Sequence, residues 1–252
     1  MILYFSATGN GKYISEQIAE KTNETCMSIV DCIREDKYVF SDETILGIVV
    51  PTYFWRLPRI VAEYLDKLRT ENCGYTFFLA SYGTTTGKAG SMAKDIIACH
   101  GQKFDAYYSV IMPDTWTPVF DLTDKNRVDK WLSDGKKQLE FVINNINLKR
   151  KGDFIDRKLP KWVAAIPAAY MYETERKTKK LSVNKDACVG CGVCAKKCPV
   201  DAIQMEEGCP VWKVEECEMC LGCLHRCPKF AISYGNGKTN RHGQYKNPYT
   251  RI

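Results

Sequence analysis

A repeated cysteine spacing constrains this chain more than any other feature. "CVGCGVCAKKCPVDAIQM" at 188–205 realigns with "CEMCLGCLHRCPKFAISY" at 217–234, at an offset of 29 residues. Seven of the 18 positions are identical: four Cys, one Pro, one Ala and one Ile. Both halves read C-x2-C-x2-C-x3-C-P. Eight thiols in two matching runs oblige this segment to fold around whatever they hold.

The spacing is that of bacterial iron–sulfur proteins, and the pair of runs resembles the two-cluster bacterial ferredoxins. In those proteins the fourth cysteine of each run ligates the other cluster. The resemblance implies one [4Fe-4S] cluster on Cys188, Cys191, Cys194 and Cys227, and a second on Cys217, Cys220, Cys223 and Cys198. Three thiolates two residues apart come from one tight loop. The fourth comes from the other repeat, because no single loop encloses a cube. Gly190, Gly192 and Gly222 are expected to allow close backbone approach, with N–H groups free to bond sulfur. The proline after each fourth cysteine starts the chain away from the cluster. Structural zinc draws four ligands, usually as two separated pairs, and two complete four-cysteine runs do not need that. Cys26, Cys32, Cys73 and Cys99 are scattered and read as small core residues. Cys209 lies between the runs, near a cluster, but both runs are complete without it.

The chain has 252 residues, enough for one large or two modest domains. Its N-terminus lacks the basic region and long apolar stretch of a secretory signal. No apolar run is long enough to cross a bilayer; the longest candidate, 159–172, contains Lys161, Pro160 and Pro167. The expected location is cytoplasmic, where 13 cysteines point to metal or redox chemistry. The net charge of +6 is uneven. Residues 1–148 carry 16 Lys/Arg and 19 Asp/Glu, a net of −3; residues 149–180 carry 10 and 4, a net of +6. Residues 181–235 carry 6 and 7, a net of −1; residues 236–252 carry 4 and none, a net of +4. The excess thus sits in a connector and a tail, where a nucleic-acid binder would place it on a folded face. The tail is expected to fold back over the body. The expected division is 1–148, a basic linker over 149–180 with a short helix near 161–175, a cysteine domain over 181–235, and a basic tail over 236–252.

Up to residue 148, short apolar runs at 1–5, 26–30, 45–50, 76–80 and 106–112 alternate with helical periodicity at 12–21, 58–69, 89–99 and 125–146. The runs are rich in Ile, Val, Phe and Tyr with little polar alternation, as in strands covered on both faces of a parallel sheet. This predicts a doubly wound α/β domain. Ligands in such sheets bind beyond the carboxyl ends of the strands. There lie "SATGNG" at 6–11, "PTYFWRLP" at 51–58, "SYGTTTG" at 81–87 and "PDTWTP" at 113–118.

The first loop precedes a helix N-terminus, whose free N–H groups and dipole suit phosphate. It is neither G-x-G-x-x-G nor a P-loop. It resembles the phosphate loop of flavodoxins, [ST]-x-T-G-x-T, with Gly11 in place of the last threonine. The resemblance implies FMN, with Ser6, Thr8, Gly9, Asn10 and Gly11 at the phosphate. Pro51, Thr52, Tyr53, Phe54 and Trp55 would lie at one side of the ring system. Ser81, Tyr82, Gly83 and Gly87 would lie at the other. Tyr53 and Trp55 are the expected stacking rings, with Tyr82 as a second ring and Phe54 assigned to the core. Residues 51–59 contain Arg56 and Arg59 and no acid, and residues 81–90 contain Lys88 and no acid. Acidic flavin loops lower a flavodoxin's potential, so a higher potential is expected here, with electrons running from the clusters to FMN.

The chain therefore resembles the flavodoxin–ferredoxin fusion proteins of anaerobic bacteria and archaea. The resemblance implies a flavodoxin-like doubly wound sheet followed by a small α+β ferredoxin domain. It also implies an electron carrier served by redox partner proteins: a ferredoxin-type donor and an unassigned acceptor. No nucleic acid and no membrane span are expected. The alternative is an FMN-dependent reductase of a quinone or other small acceptor. Tyr82, Asp114 and Trp116 are then possible walls of its pocket. His100, His225 and His242 read as structural or solvated.

Overall fold

The computed structural model describes residues 1–158, 169–235 and 238–252. The apolar runs become the strands of one parallel sheet. β1 (Ile2–Tyr4), β2 (Cys26–Ser28), β4 (Leu46–Pro51), β6 (Thr76–Tyr82) and β7 (Ala106–Ile111) lie in the order β2-β1-β4-β6-β7, and β8 (Gly152–Asp153) adds an edge beyond β7. Every pairing is parallel. Taken by their main strands, this is the 2-1-3-4-5 order of flavodoxin-like doubly wound sheets.

Alternation along the strands feeds two cores. Leu46, Ile48, Val50, Phe78 and Ala80 face α2 (Ile29–Arg34), α3 (Arg59–Lys67) and α4 (Ala89–Ala98). Val49, Phe77 and Leu79 face α1 (Asn10–Thr22) and α5 (Lys125–Asn147). Gly47 is needed on the second face, where a Cβ would stand 2.2 Å from the Phe77 ring. The four expected helices form close to their predicted bounds. α2 is an addition, in part of an apolar run read as strand; Ser28 caps it by accepting from Val30 N at 3.2 Å. β3 (Val39–Ser41) and β5 (Arg69–Glu71) form a separate parallel pair with no apolar pattern to announce it. Of the helix expected over 161–175, residues 169–175 are helical (α6), and 161–168 lie outside the described residues.

The cysteine repeat is a structural repeat. α7 (Val193–Lys196) and β10 (Ile203–Glu206) recur as α8 (Gly222–Arg226) and β12 (Ile232–Tyr234), each at the 29-residue offset. β10 pairs antiparallel with β11 (Cys209–Trp212), and β12 pairs antiparallel with β9 (Leu181–Val183). Backbone conformation repeats as well. Gly190 and Gly192 have φ of 64° and 70°; Met219 and Leu221, 29 residues on, have 53° and 51°. Gly222, expected to share the glycines' role, is not in the left-handed region. It still serves the expected close approach, since a Cβ there would lie 3.1 Å from Arg226 Nη1 and 3.5 Å from Cys220 Sγ.

The two halves are bonded to each other. α3 begins after Pro58 with no side-chain cap of its own. Its first N–H groups are taken from across the seam: Arg59 N donates to Tyr172 Oη at 2.9 Å, and Ile60 N donates to Glu218 Oε2 at 3.3 Å. Tyr172 Oη in turn donates to Glu218 Oε1 at 3.0 Å. A buried carboxylate at a helix N-terminus satisfies orphan donors and meets the positive dipole end. The tail does fold back. Asn247 N donates to Thr8 O at 2.8 Å, Tyr249 packs on Tyr13, and Gln244 bonds Leu224 O and Cys227 O.

Candidate functional site

Three cavities lie in a row. The outer one has Cys188, Cys191, Cys194 and Cys227 in its wall. The next has Cys198, Cys217, Cys220 and Cys223, with Cys194 at its border. The third, about 260 Å³, opens beyond the carboxyl ends of the sheet and again has Cys220 in its wall. Cys194 is thus common to the first two and Cys220 to the last two. Among the described residues no three Cys, His, Asp or Glu side chains converge as around a single ion. The cysteines surround space instead, which suits a body that fills volume. Backbone N–H groups point at sulfur in both sets. Ala202 N donates to Cys198 Sγ, Met219 N to Cys217 Sγ and Ala231 N to Cys227 Sγ, each at 3.3 Å. Burial pushes the Cys220 thiol up to about 12 and Cys223 well above its ordinary value. Such thiols ionise only beside strong positive charge, which a metal centre supplies. Cys209 stands beside Cys188 on β11 but outside the cavity wall.

The third cavity gathers the strand-end loops. Ser6, Thr8, Asn10, Gly11, Pro51, Thr52, Tyr53, Phe54, Trp55, Ser81, Tyr82 and Gly83 line it; Gly9 and Gly87 do not. Gly9 has φ of 98°, and its outer side is covered by the tail, where a Cβ would meet Asn247 at 2.9 Å. Gly87 backs Trp55, whose Cβ would lie 2.3 Å from an added Cβ. The opening turn keeps free donors. Gly9 N is taken by Ser6 Oγ at 3.1 Å, while the N–H groups of Thr8, Asn10 and Gly11 have no partner among the described residues. Such a nest binds anions. Asn10 is expected to add an amide donor, and its side chain is fixed by bonds that take one of its two amide hydrogens. Nδ2 donates to Pro113 O at 3.2 Å, and Oδ1 accepts from Tyr245 Oη at 2.8 Å and Asn247 Nδ2 at 3.0 Å. Gly11 cannot carry the missing hydroxyl, since a Cβ there would lie 2.8 Å from Phe5 O. Thr52 Oγ1 is buried in the wall with no partner among the described residues.

The aromatics are arranged differently from expectation. Tyr53 packs on Phe5 at 6.3 Å and on the sheet's core. Phe54, assigned to the core, stands at the seam instead, edge-on to Trp116 at 5.2 Å and near Tyr172 at 6.5 Å. Phe54 and Trp55 hold φ of 45° and 63° in a tight turn closed by paired bonds between Tyr53 and Arg56, both 2.9 Å. Tyr82 reaches the wall from the end of β6, with Gln138 beside its buried hydroxyl. The cations expected beside a flavin stand back. Arg59 is exposed on Glu63 at 2.7 Å, and neither it, Arg56 nor Lys88 lines the cavity. Asp114 does line it. Burial pushes its carboxyl up to about 6, against one bond from Trp116 N at 3.1 Å.

Sequence reasoning missed Met219 and Leu221, whose side chains close the cavity from the cysteine domain. The available signal was their alignment with Gly190 and Gly192. All three histidines make structural contacts: His100 with Asp66, His225 with Thr115 O and His242 with Thr117 O. Among the described residues, no helix is long and apolar enough to cross a membrane.

The flavodoxin domain family matches residues 1–140, and a 4Fe-4S binding domain matches residues 181–204. An uncharacterised ferredoxin of Methanocaldococcus jannaschii is 39% identical over 59 residues, 22% of this chain and 32% of its own length. A ferredoxin of Pyrobaculum islandicum is 30% identical over 66 residues, 25% of this chain and 60% of its own. The chain spans less than two thirds of the length of either relative. Among solved structures, the rubredoxin oxygen:oxidoreductase of Desulfovibrio gigas overlaps 59% of this chain and 36% of its own, at 16% identity and a TM-score of 0.38. This chain belongs to the flavodoxin domain family, with a 4Fe-4S binding domain joined to it, as in the flavodoxin–ferredoxin fusions.

Proposed function

We propose that the chain carries electrons through two [4Fe-4S] clusters to FMN inside one molecule. When bound, each cluster passes single electrons and the flavin stores two. The observation that carries this reading is the pair of common walls: Cys194 borders both cysteine cavities, and Cys220 borders both the inner one and the loop cavity. The thiols of the outer and inner sets would hold the clusters in the crossed pairing, each run lending its fourth cysteine to the other. The free N–H groups at Thr8, Asn10 and Gly11 would take the flavin phosphate. Thr52 Oγ1 would bond the polar edge of the ring system, and Met219 and Leu221 would close the space between ring and inner cluster. Cys191 and Val189 are exposed at the far end, Val189 to 58%, and a ferredoxin-type donor would dock there.

Cofactor content after anaerobic purification tests the reading. About eight iron, eight sulfide and one FMN per chain are expected. Full iron without flavin would overturn the flavin site and leave the clusters; zinc in place of iron would overturn the clusters. A second reading, reduction of a small acceptor over the flavin, is favoured by Asp114, a buried carboxyl in the cavity wall that retains its proton near pH 6. Anaerobic turnover with a quinone panel separates the two readings.

A further inference from the structure

The inner cysteine set is enclosed, and an enclosed cluster resists taking up an electron unless a cation stands close. Several charged side chains surround this set; of these, Lys177 pairs with Glu216, Glu175 with Lys180, and Lys197 is exposed. Arg176 Nε donates to Cys217 O at 2.9 Å, but its guanidinium is paired with Glu173 at 2.8 Å and Glu216 at 3.4 Å. Glu218 is engaged in capping α3. Arg226 has no carboxylate partner among the described residues. Its Nη1 donates to Lys197 O at 3.0 Å and its Nη2 to Ser6 O at 3.3 Å, while Nε is buried with no partner among the described residues. A Cβ on Gly222 would lie 3.1 Å from Arg226 Nη1 and 3.5 Å from Cys220 Sγ, so guanidinium and thiol flank the same backbone. The Arg226 charge acts on Cys220 and on Tyr53 of the loop cavity.

A half-buried cation with a buried, unbonded N–H is costly unless an anion completes it. Two anions are in reach of this position under the proposed function: the inner cluster and the flavin phosphate. Toward the phosphate turn, Nη2 is already bonded to the Ser6 carbonyl, while the thiol of Cys220 shares the backbone of Gly222 with Nη1. We propose that Arg226 is the counter-cation of the inner cluster and raises its potential above that of the outer one, which directs electrons inward. The inference rests on the two-cluster reading. Lys197, the aligned residue of the first run, also borders the inner cavity, but it is exposed. Both positions are cationic, and Arg226 is the one partly withdrawn from water, where its charge is less screened.

The test is an EPR-monitored redox titration of the holoprotein, with Arg226→Gln and Arg226→Lys beside the parent. A Cys191→Ser variant assigns the outer cluster's signal. Iron is measured first: a parent without about eight iron refutes the two-cluster reading itself. In Arg226→Gln the inner cluster's reduction constant is expected to fall at least tenfold, which is 59 mV for one electron, with the outer cluster unmoved. Arg226→Lys retains the charge and is expected to restore most of the shift. Inner-site iron lost in the Gln variant and recovered in the Lys variant supports the same role. Unmoved potentials, equal shifts in both clusters, or a Lys variant as impaired as Gln would overturn it. So would weaker flavin binding with both potentials intact, which would assign Arg226 to the phosphate.

Discussion

Substitution of Asn247 tests whether the tail holds the phosphate turn. Its side chain is 2% exposed; Nδ2 donates to Asn10 Oδ1 at 3.0 Å, and Oδ1 accepts from Tyr249 N at 3.0 Å. Asn247→Ala removes both bonds, each about 1 kcal/mol. The Tyr249 bond lies within the tail and shows up as fraying. The Asn10 bond acts on the turn, and about 1 kcal/mol there is roughly fivefold in flavin affinity. Tyr245→Phe removes the other bond to the same oxygen and is expected to cost about as much. The two together are expected to exceed their sum. Asn10 Oδ1 is then buried with no partner, a penalty of about 1–3 kcal/mol on its own. Titration of FMN into flavin-free protein, followed by loss of flavin fluorescence, reads this directly, with iron content as the control for folding. A double variant with full iron that binds FMN within twofold of the parent would refute the reasoning, because the turn would then hold its shape without the tail.

Three further outcomes follow from the same geometry. Asp114 is raised to about 6 by burial, so the folded state binds its proton more tightly than the unfolded chain. Stability is thus favoured below about pH 4 and falls as pH rises to about 6. Asp114→Asn is expected to match the parent's thermal midpoint near pH 4 and exceed it at pH 8; equal midpoints at both would sink the assignment. Gly83→Ala places a Cβ 2.3 Å from Asp114 Cβ. A destabilisation of about 1–3 kcal/mol is expected by denaturant unfolding, with loss of flavin. Tyr172→Phe strips Glu218 of its 3.0 Å donor and Arg59 N of its acceptor across the seam. It is expected to cost about 1–3 kcal/mol, read as a lowered unfolding midpoint, and no change would mean that water replaces the hydroxyl.

What could be read from the sequence was local or repetitive. The parallel strands declared themselves because both faces of each are buried, leaving near-continuous apolar runs such as 46–50. The cysteine halves declared themselves by self-alignment. The role of Asn10 in holding the tail was hidden because it depends on Tyr245 and Asn247, more than 230 residues away. Its sequence neighbours carry no trace of them. Asp114 was seen only as a possible wall residue, because its burial is a product of Gly83 on another strand end. α2 and the β3–β5 pair were hidden because a six-residue helix and three-residue strands are too short to express a period.

Met219 and Leu221 are the instructive case, because their signal was present in the alignment of the two runs. The first run uses glycine at both positions, and glycine adopts positive φ without strain. The second run adopts the same angles with large side chains, at about 1–2 kcal/mol each. Met219 is 4% exposed and Leu221 3%, and both line the loop cavity as well as the inner cysteine cavity. Of the aligned glycines, Gly192 lines the outer cavity, and neither Gly190 nor Gly192 borders the loop cavity. Strain of this kind persists where the surroundings use what it positions. Here it sets two apolar side chains beside Cys220, in the wall common to the inner cysteine cavity and the loop cavity. A repeat that departs from its own glycines therefore marks which of its two halves faces the other domain, and aligning the two runs is enough to find the departure.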